Sequence, residues 1–276
     1  MKIRIVVDNN TLIDRYYVGE PAVCYYIEMN GKRILFDTGY SDVFLANAKA
    51  MDIDLRSLTH IVLSHGHNDH TGGLAYLLKS DLPPWVRLVA HPGCFEAKAV
   101  EHEPVGAPVS LGDIENRFQY IPAVRPWDLS EGGQDCVFLG QIPRKLEFEG
   151  RDEIGLRRCA NGWQRDRLED DSALVCRLKD GLFIVTGCSH SGVCNIVDYA
   201  RNVCRESRIV GILGGFHLFD VDNRLDKTIE FMKKARVGTV YPCHCVSLKA
   251  KARMMERLLV EEVGVGTEIC LEEITA

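Results

Sequence analysis

The stretch SHGHNDHTGG, residues 64 to 73, constrains this chain more than any other. Three of the nine histidines fall within six positions, with Asp69 just ahead of the last. His65 and His67 are two residues apart, so in extended backbone their side chains leave on the same side. Asp69 and His70 are adjacent and point differently unless the backbone turns sharply. A metal needs several neutral imidazoles or carboxylates within about 2.0 to 2.2 Å, a convergence that polar loops rarely supply by chance. The cluster therefore divides into two pairs, suited to two metals about 3.5 to 4 Å apart. Gly66, Gly72 and Gly73 supply the sharp turns that such close ligands demand.

One short cluster cannot close two coordination spheres, so further ligands must lie elsewhere. His190 in TGCSHSG, His217 in GGFHL and His244 in PCHC each follow an apolar, strand-like segment directly. A single histidine in such a place is usually a hydrogen-bonded structural residue. The first cluster and the repeated placement favour ligation for His190 and His244, and leave His217 as a further candidate. His60, His91 and His102 read as structural or surface residues. Cys188, Cys243 and Cys245 lie near the proposed ligands. No second closely spaced cysteine pair accompanies them, which argues against a structural zinc of the finger type but leaves an isolated cysteine ligand open.

Around these landmarks the chain alternates strands and helices. KIRIVV reads as a strand running into an Asx-rich turn, and AVCYYIEMNGKRILFDTG as a hairpin turning at Asn30-Gly31. A helix follows over SDVFLANAKAMDI, capped by Ser41 or Asp42. THIVLS is the strand that delivers the first cluster, GGLAYLLKS begins a helix, and VRLVAH is another strand. PVSL and FQYI are shorter strand candidates, and DCVFLG resumes a clear one. Residues 141 to 170 are densely charged and aperiodic, which suits either a solvated excursion or a lid-like insertion. SALVCRLKDGLFIVTG then repeats the hairpin plan, and a helix over VCNIVDYARNV follows its histidine. RIVGILGGFHL and VGTVYPCHC are strands ending in histidine-bearing loops, separated by the helix LDKTIEFMKKAR. LKAKARMMERLLVEEV closes the pattern as an amphipathic helix before a short apolar tail. Two halves thus share one plan, which predicts an α/β fold of two mixed β-sheets with helices on their outer faces.

At 276 residues and 31.0 kDa the chain fits one large domain or two fused halves. A formal charge of -6 and a pI near 5.9 give no basis for bulk attraction to nucleic acid or an acidic membrane surface. No apolar run reaches membrane-spanning length and no signal-peptide pattern opens the chain. Eleven cysteines, several in apolar strands, then point to buried thiols in a reducing cytoplasm rather than to disulfides.

With HGHNDH preceded by THIVLS and ILFDTG, and followed by TGCSHSG and PCHC, the chain resembles the metallo-β-lactamase fold superfamily. The resemblance implies a four-layer αββα sandwich and a single domain over residues 1 to 276, with an inserted or lid-like region at about 141 to 170. It implies that His65, His67 and His190 bind one metal, and Asp69, His70 and His244 the other. It makes Asp37 an anchor that orients the loop or a ligand imidazole. The family usually places a metal-bridging aspartate between the third and last landmarks. Here that region reads VGILGGFHLFD, which leaves His217 to take that place as ligand or substrate contact. VVDNN, GQIPR, TGCSHSGVCNIV and GGFHL add a narrower likeness to dihydropterin ribofuranosylaminobenzene phosphate synthase-like proteins.

Metal-dependent hydrolysis of a small ester or phosphoester, phosphorylated or pterin-like, is the expected activity. Zinc heads the list of metals, with iron or manganese as alternatives. Asp69 would orient the water as well as bind metal, and His217 would donate to the developing charge or leaving group. Asn9 and Arg144 are candidates for substrate phosphate. A synthase-like transferase, a di-iron oxidoreductase and a non-catalytic binding protein are the competitors. His67 stands where di-iron flavoprotein relatives carry glutamate, and an intact first cluster disfavours a non-catalytic role. The expected partner is a small molecule, with no nucleic acid and no membrane, and homo-oligomer formation stays open.

Overall fold

The computed structural model describes residues 1–130, 132–133 and 135–274. The chain divides into two compact units: Met1–Val124 with Glu153–Asp170 and Gly264–Leu271, and Arg125–Asp152 with Asp171–Val263 and Glu272–Ala276.

The first unit is built on a seven-stranded sheet in the order Glu268–Cys270, Lys2–Val7, Cys24–Met29, Lys32–Phe36, His60–Val62, Arg87–Ala90, Gln119–Pro122. Its first four strands pair antiparallel and its last three join in parallel. The Asn30-Gly31 hairpin forms as expected, with φ of 45° and 76° at its two turn residues. Val43–Ala50 and Leu74–Leu77 are helical, and Phe44, Ala48, Leu74 and Leu77 pack on Val6, Tyr26, Leu35, Ile61 and Leu88 of the sheet. The tail read as apolar is the edge strand Glu268–Cys270. PVSL is not a strand: Ser110 caps the helix Leu111–Arg117 by exchanging hydrogen bonds with Asp113, a capping box that overrides the weak β-propensity.

The second unit mirrors this plan. Its six-stranded sheet runs Thr239–Pro242, Ile209–Gly214, Gly181–Thr186, Ala173–Leu178, Cys136–Phe138, Trp127–Asp128. The first three strands are parallel and the others antiparallel. In the helix Val193–Cys204, Val193, Ile196, Val197, Ala200 and Cys204 recur at helical spacing and are buried. Each of its larger apolar side chains contributes about 1.5 to 3 kcal/mol by leaving water. Asp222 caps the helix Asn223–Lys234 by accepting from the Leu225 N–H. The last helix, Leu248–Met255, stops well short of its amphipathic pattern. There the backbone bonds the edge strand instead, exchanging hydrogen bonds between Val240 and Leu259 and Glu261.

Residues 141 to 152 belong to the second unit and 153 to 170 to the first. The latter part holds an antiparallel hairpin, Leu156–Cys159 with Gly162–Arg165, that joins Lys98–Val100 and Glu103–Pro104 in a four-stranded sheet. None of the described helices is long and apolar enough to cross a membrane.

Candidate metal centre

In both units the candidate ligands follow the carboxyl ends of parallel strands, the end at which open α/β sheets present their binding loops. In the first unit the strand Lys32–Phe36 delivers Asp37, fully buried and held at φ 56°. One carboxylate oxygen accepts the Ser64 N–H at 2.7 Å. The other accepts the Ser64 hydroxyl at 2.7 Å and lies 2.7 Å from Nδ1 of His70. Ser64 Oγ in turn lies 3.0 Å from Nδ1 of His65. This network assigns the Nδ1–H tautomer to both rings, because Asp37 can only accept and Ser64 has already spent its proton. The Nε2 lone pairs of His65 and His70 are left to face a metal.

His65 Nε2 lies 3.1 Å from His67 Nδ1. Two donors on one tetrahedral ion, each at about 2.0 to 2.1 Å, are roughly 3.3 Å apart, so the two rings stand close enough to share one cation. His67 caps a short helical turn, Asn68–Thr71, and the turn solves the problem of the adjacent Asp69 and His70. Both reach one donor set, with Asp69 Oδ2 3.5 Å from His70 Nε2. Gly66 and Gly72 serve close approach rather than positive φ: a Cβ would meet the Cys94 carbonyl oxygen at 2.3 Å and that of Tyr40 at 2.1 Å.

In the second unit three loops interlock at the strand ends. Gly215 N–H donates to Gly187, Cys243 N–H to Gly214 and Leu218 N–H to Cys245. Ser189, His217 and His244 all take left-handed backbone, with φ of 57°, 49° and 51°. Such conformations persist where surrounding bonds over-determine them, and they gather at functional loops. Asp171, fully buried, accepts from both the N–H and the hydroxyl of Ser191, next to His190. Burial pushes its carboxyl up to about 6, against the lowering effect of those bonds.

The candidate donor atoms gather in two sets, each mutually within 4.8 Å: His65, His67 and His190, and Asp69, His70, Cys188 and His244. All six residues expected as ligands are therefore brought together, in the grouping the resemblance implied. Cys188 joins the second set, as one of the three cysteines among which the sequence leaves an isolated ligand open. Its place two residues before His190 was the available signal, but a buried cysteine after an apolar strand reads first as a small hydrophobe. His217 stands in neither set. Its ring tilts against His190 with centroids 4.6 Å apart, and meets Phe219 edge-on at 4.8 Å. No aspartate ends the strand Ile209–Gly214; Asp220 lies further on and pairs with Lys249.

Asn9 is exposed in the turn after the first strand. Arg144 donates from Nη1 to the Gly150 carbonyl, bracing the loop in which Glu149 accepts from the N–H groups of Cys194 and Asn195. The amino end of the helix Val193–Cys204 is thus filled by the chain's own carboxylate. His60 is a buried strand residue, His91 accepts from the Gly93 N–H, and His102 is exposed.

Imidazole, carboxylate and thiol donors in compact, buried sets suit a borderline divalent ion, so these residues fit a metal pair. Burial also lowers the pKa of His67, outweighing the raising effect of Asp69 and Asp170. The shift favours the neutral ring, the form that ligates a metal. In the metal-free protein the His67 ring protons should titrate below about pH 6.5. A proton NMR titration with a midpoint at or above that value would count against this environment.

The Metallo-beta-lactamase superfamily model matches residues 17–244, which contain both donor sets. The chain belongs to the metallo-β-lactamase superfamily. It is 35% identical over 242 residues to a 7,8-dihydropterin-6-methyl-4-(beta-D-ribofuranosyl)-aminobenzene-5'-phosphate synthase of Methanocaldococcus jannaschii, covering 83% of this chain and 81% of that protein. An uncharacterized protein of the same organism is 31% identical over 258 residues, 92% of this chain and 94% of the relative. The crystal structure of a metal-dependent hydrolase of the beta-lactamase superfamily superposes with a TM-score of 0.83 at 28% identity, covering 99% of this chain and all of the other. The fold is accordingly an α/β sandwich of mixed sheets flanked by helices, and the buried donor cluster is consistent with a dinuclear metal active site in a hydrolase of this fold.

Proposed function

We propose that this metal-dependent hydrolase acts on a small ester or phosphoester, phosphorylated or pterin-like, and that its native metal is zinc. The observation that carries the reading is the division of the donors into a three-histidine set and an Asp-His-Cys-His set. A thiol among imidazoles favours zinc over magnesium or calcium, which prefer oxygen. Two divalent ions, when bound, supply the Lewis acidity that lowers the pKa of a water and polarises the substrate oxygen.

The protein's own residues orient and move protons around that chemistry. Asp37, through Ser64 and directly, keeps the protons of His65 and His70 on Nδ1. Asp69 accepts from the attacking water and fixes its approach, and His217, outside both donor sets, donates a proton toward the leaving group. Arg144 and Asn9 hold a substrate phosphate. The net charge of -6 accords with a small-molecule substrate rather than nucleic acid, and eleven free thiols accord with a cytoplasmic setting.

The likeness to the methanogen synthase favours a second reading, transfer rather than hydrolysis on a phosphorylated pterin precursor. Protein purified without added metal should carry about two divalent ions per chain and cleave nitrophenyl ester or phosphodiester probes. Chelation should abolish cleavage and zinc should restore it. Cleavage indifferent to chelation would sink the metal reading, and a metal-loaded protein inert to every hydrolytic probe would favour the transferase.

A further inference from the structure

Behind the turn that bears His65 and His67, the first unit buries three charges. Lys98, Asp166 and Asp170 are 3%, 0% and 2% exposed. The Lys98 ammonium donates to Asp166 Oδ2 at 2.7 Å and to Asp170 Oδ1 at 3.0 Å. The second oxygen of Asp170 accepts the Gly66 N–H at 2.8 Å. Gly66 is the residue between the two histidines, and its α-carbon is already pressed against the Cys94 backbone. The same small sheet grips the turn a second time: His67 bridges to Gly106, the Asn68 N–H donates to Val105, and the Val105 N–H donates to Lys98. Asp166 is itself fixed by the Leu168 N–H at 2.7 Å.

Removing three charged groups from water is costly, and a well-packed apolar cluster would stabilise the fold as well or better. Such a triad is explained by what it positions. We propose that Asp170, held by Lys98 and Asp166, is a positioning residue that sets the His65–His67 turn in ligating geometry before metal arrives. The charged stretch from 153 to 170 then serves as a brace for the metal loop through Asp170, the carboxylate in it that reaches the turn. This inference rests on the reading that His65, His67 and His190 hold one metal.

The test exploits the two oxygens of a carboxylate. Asp170 serves Lys98 with one and Gly66 with the other; an amide has a single acceptor and must abandon one of them. Asp166→Asn removes the same charge from the same cluster without touching the turn. Stepwise cobalt(II) titration of the full-length protein reads the two sites separately, because a thiolate band marks the set containing Cys188. Asp170→Asn should weaken the three-histidine site by about ten- to a hundredfold, while the thiolate site in both variants, and both sites in Asp166→Asn, stay within about threefold of wild type. Equal losses in the two variants, or no loss in either, would overturn the assignment. Amide exchange in the metal-free wild type needs no variant: Gly66 should be protected without metal, and exchange at the rate of an open loop would also overturn it. Wild-type protein that binds no metal would refute the metal reading itself, and the Gly66 exchange would still decide the brace.

Discussion

Asp37→Asn is expected to yield a folded protein whose metal affinity has fallen by about ten- to a hundredfold. The side chain is the same size, and its oxygen can still accept the Ser64 N–H that Asp37 accepts at 2.7 Å. The amide nitrogen would then face the Ser64 hydroxyl and His70 Nδ1, both of which donate to the native carboxylate. Donor against donor is untenable in a buried site, so His70 must shift its proton to Nε2 and lose the lone pair aimed at the metal. Ser64 turns its proton away as well, and His65 loses its acceptor. Asp37→Ala is the harsher change, because it leaves those donors unsatisfied at roughly 1 to 3 kcal/mol each and threatens the fold itself. Metal content after dialysis, circular dichroism and the histidine nitrogen shifts of Asp37→Asn form a sufficient set. Native metal content together with an Nδ1–H signal for His70 would refute the relay.

How far such a site is legible in the sequence depends on how local its causes are. The pairing of His65 with His67 follows from two-residue spacing, and the Asn30-Gly31 turn from the backbone freedom of that dipeptide, so both were predictable. The pairing of Asp69 with His70 needed a helical turn that four residues of sequence do not announce. The hairpin Leu156–Cys159 with Gly162–Arg165 was hidden because arginines occupy positions where alternation would place apolar residues. Its neighbours in space lie some sixty residues away at Lys98–Val100, and no local pattern encodes that. PVSL misled for the opposite reason: a local signal, the Ser110–Asp113 box, was present and lost to apparent strand propensity. Cys188 shows the limit for chemistry, since one residue type serves equally as core filler and as ligand.

Asp69→Asn is expected to lower turnover by about 10² to 10⁴, with KM changed only a few-fold. Asp69 lies in the helical turn Asn68–Thr71, its backbone carbonyl accepting from Val23 N–H, and neither feature depends on side-chain charge. The fold should therefore persist. Its Oδ2 lies 3.5 Å from His70 Nε2, and its side chain is 28% exposed. It is thus placed both to complete the second donor set and to meet a water from solvent. An asparagine can still offer one carbonyl oxygen to a cation but cannot accept a proton near neutrality, so the two duties separate. If orientation and proton acceptance dominate, turnover collapses while metal content stays near the wild-type value. If ligation dominates, metal is lost in step with activity and added zinc restores both. Full turnover with full metal content would remove Asp69 from the mechanism and leave proton transfer to His217 alone.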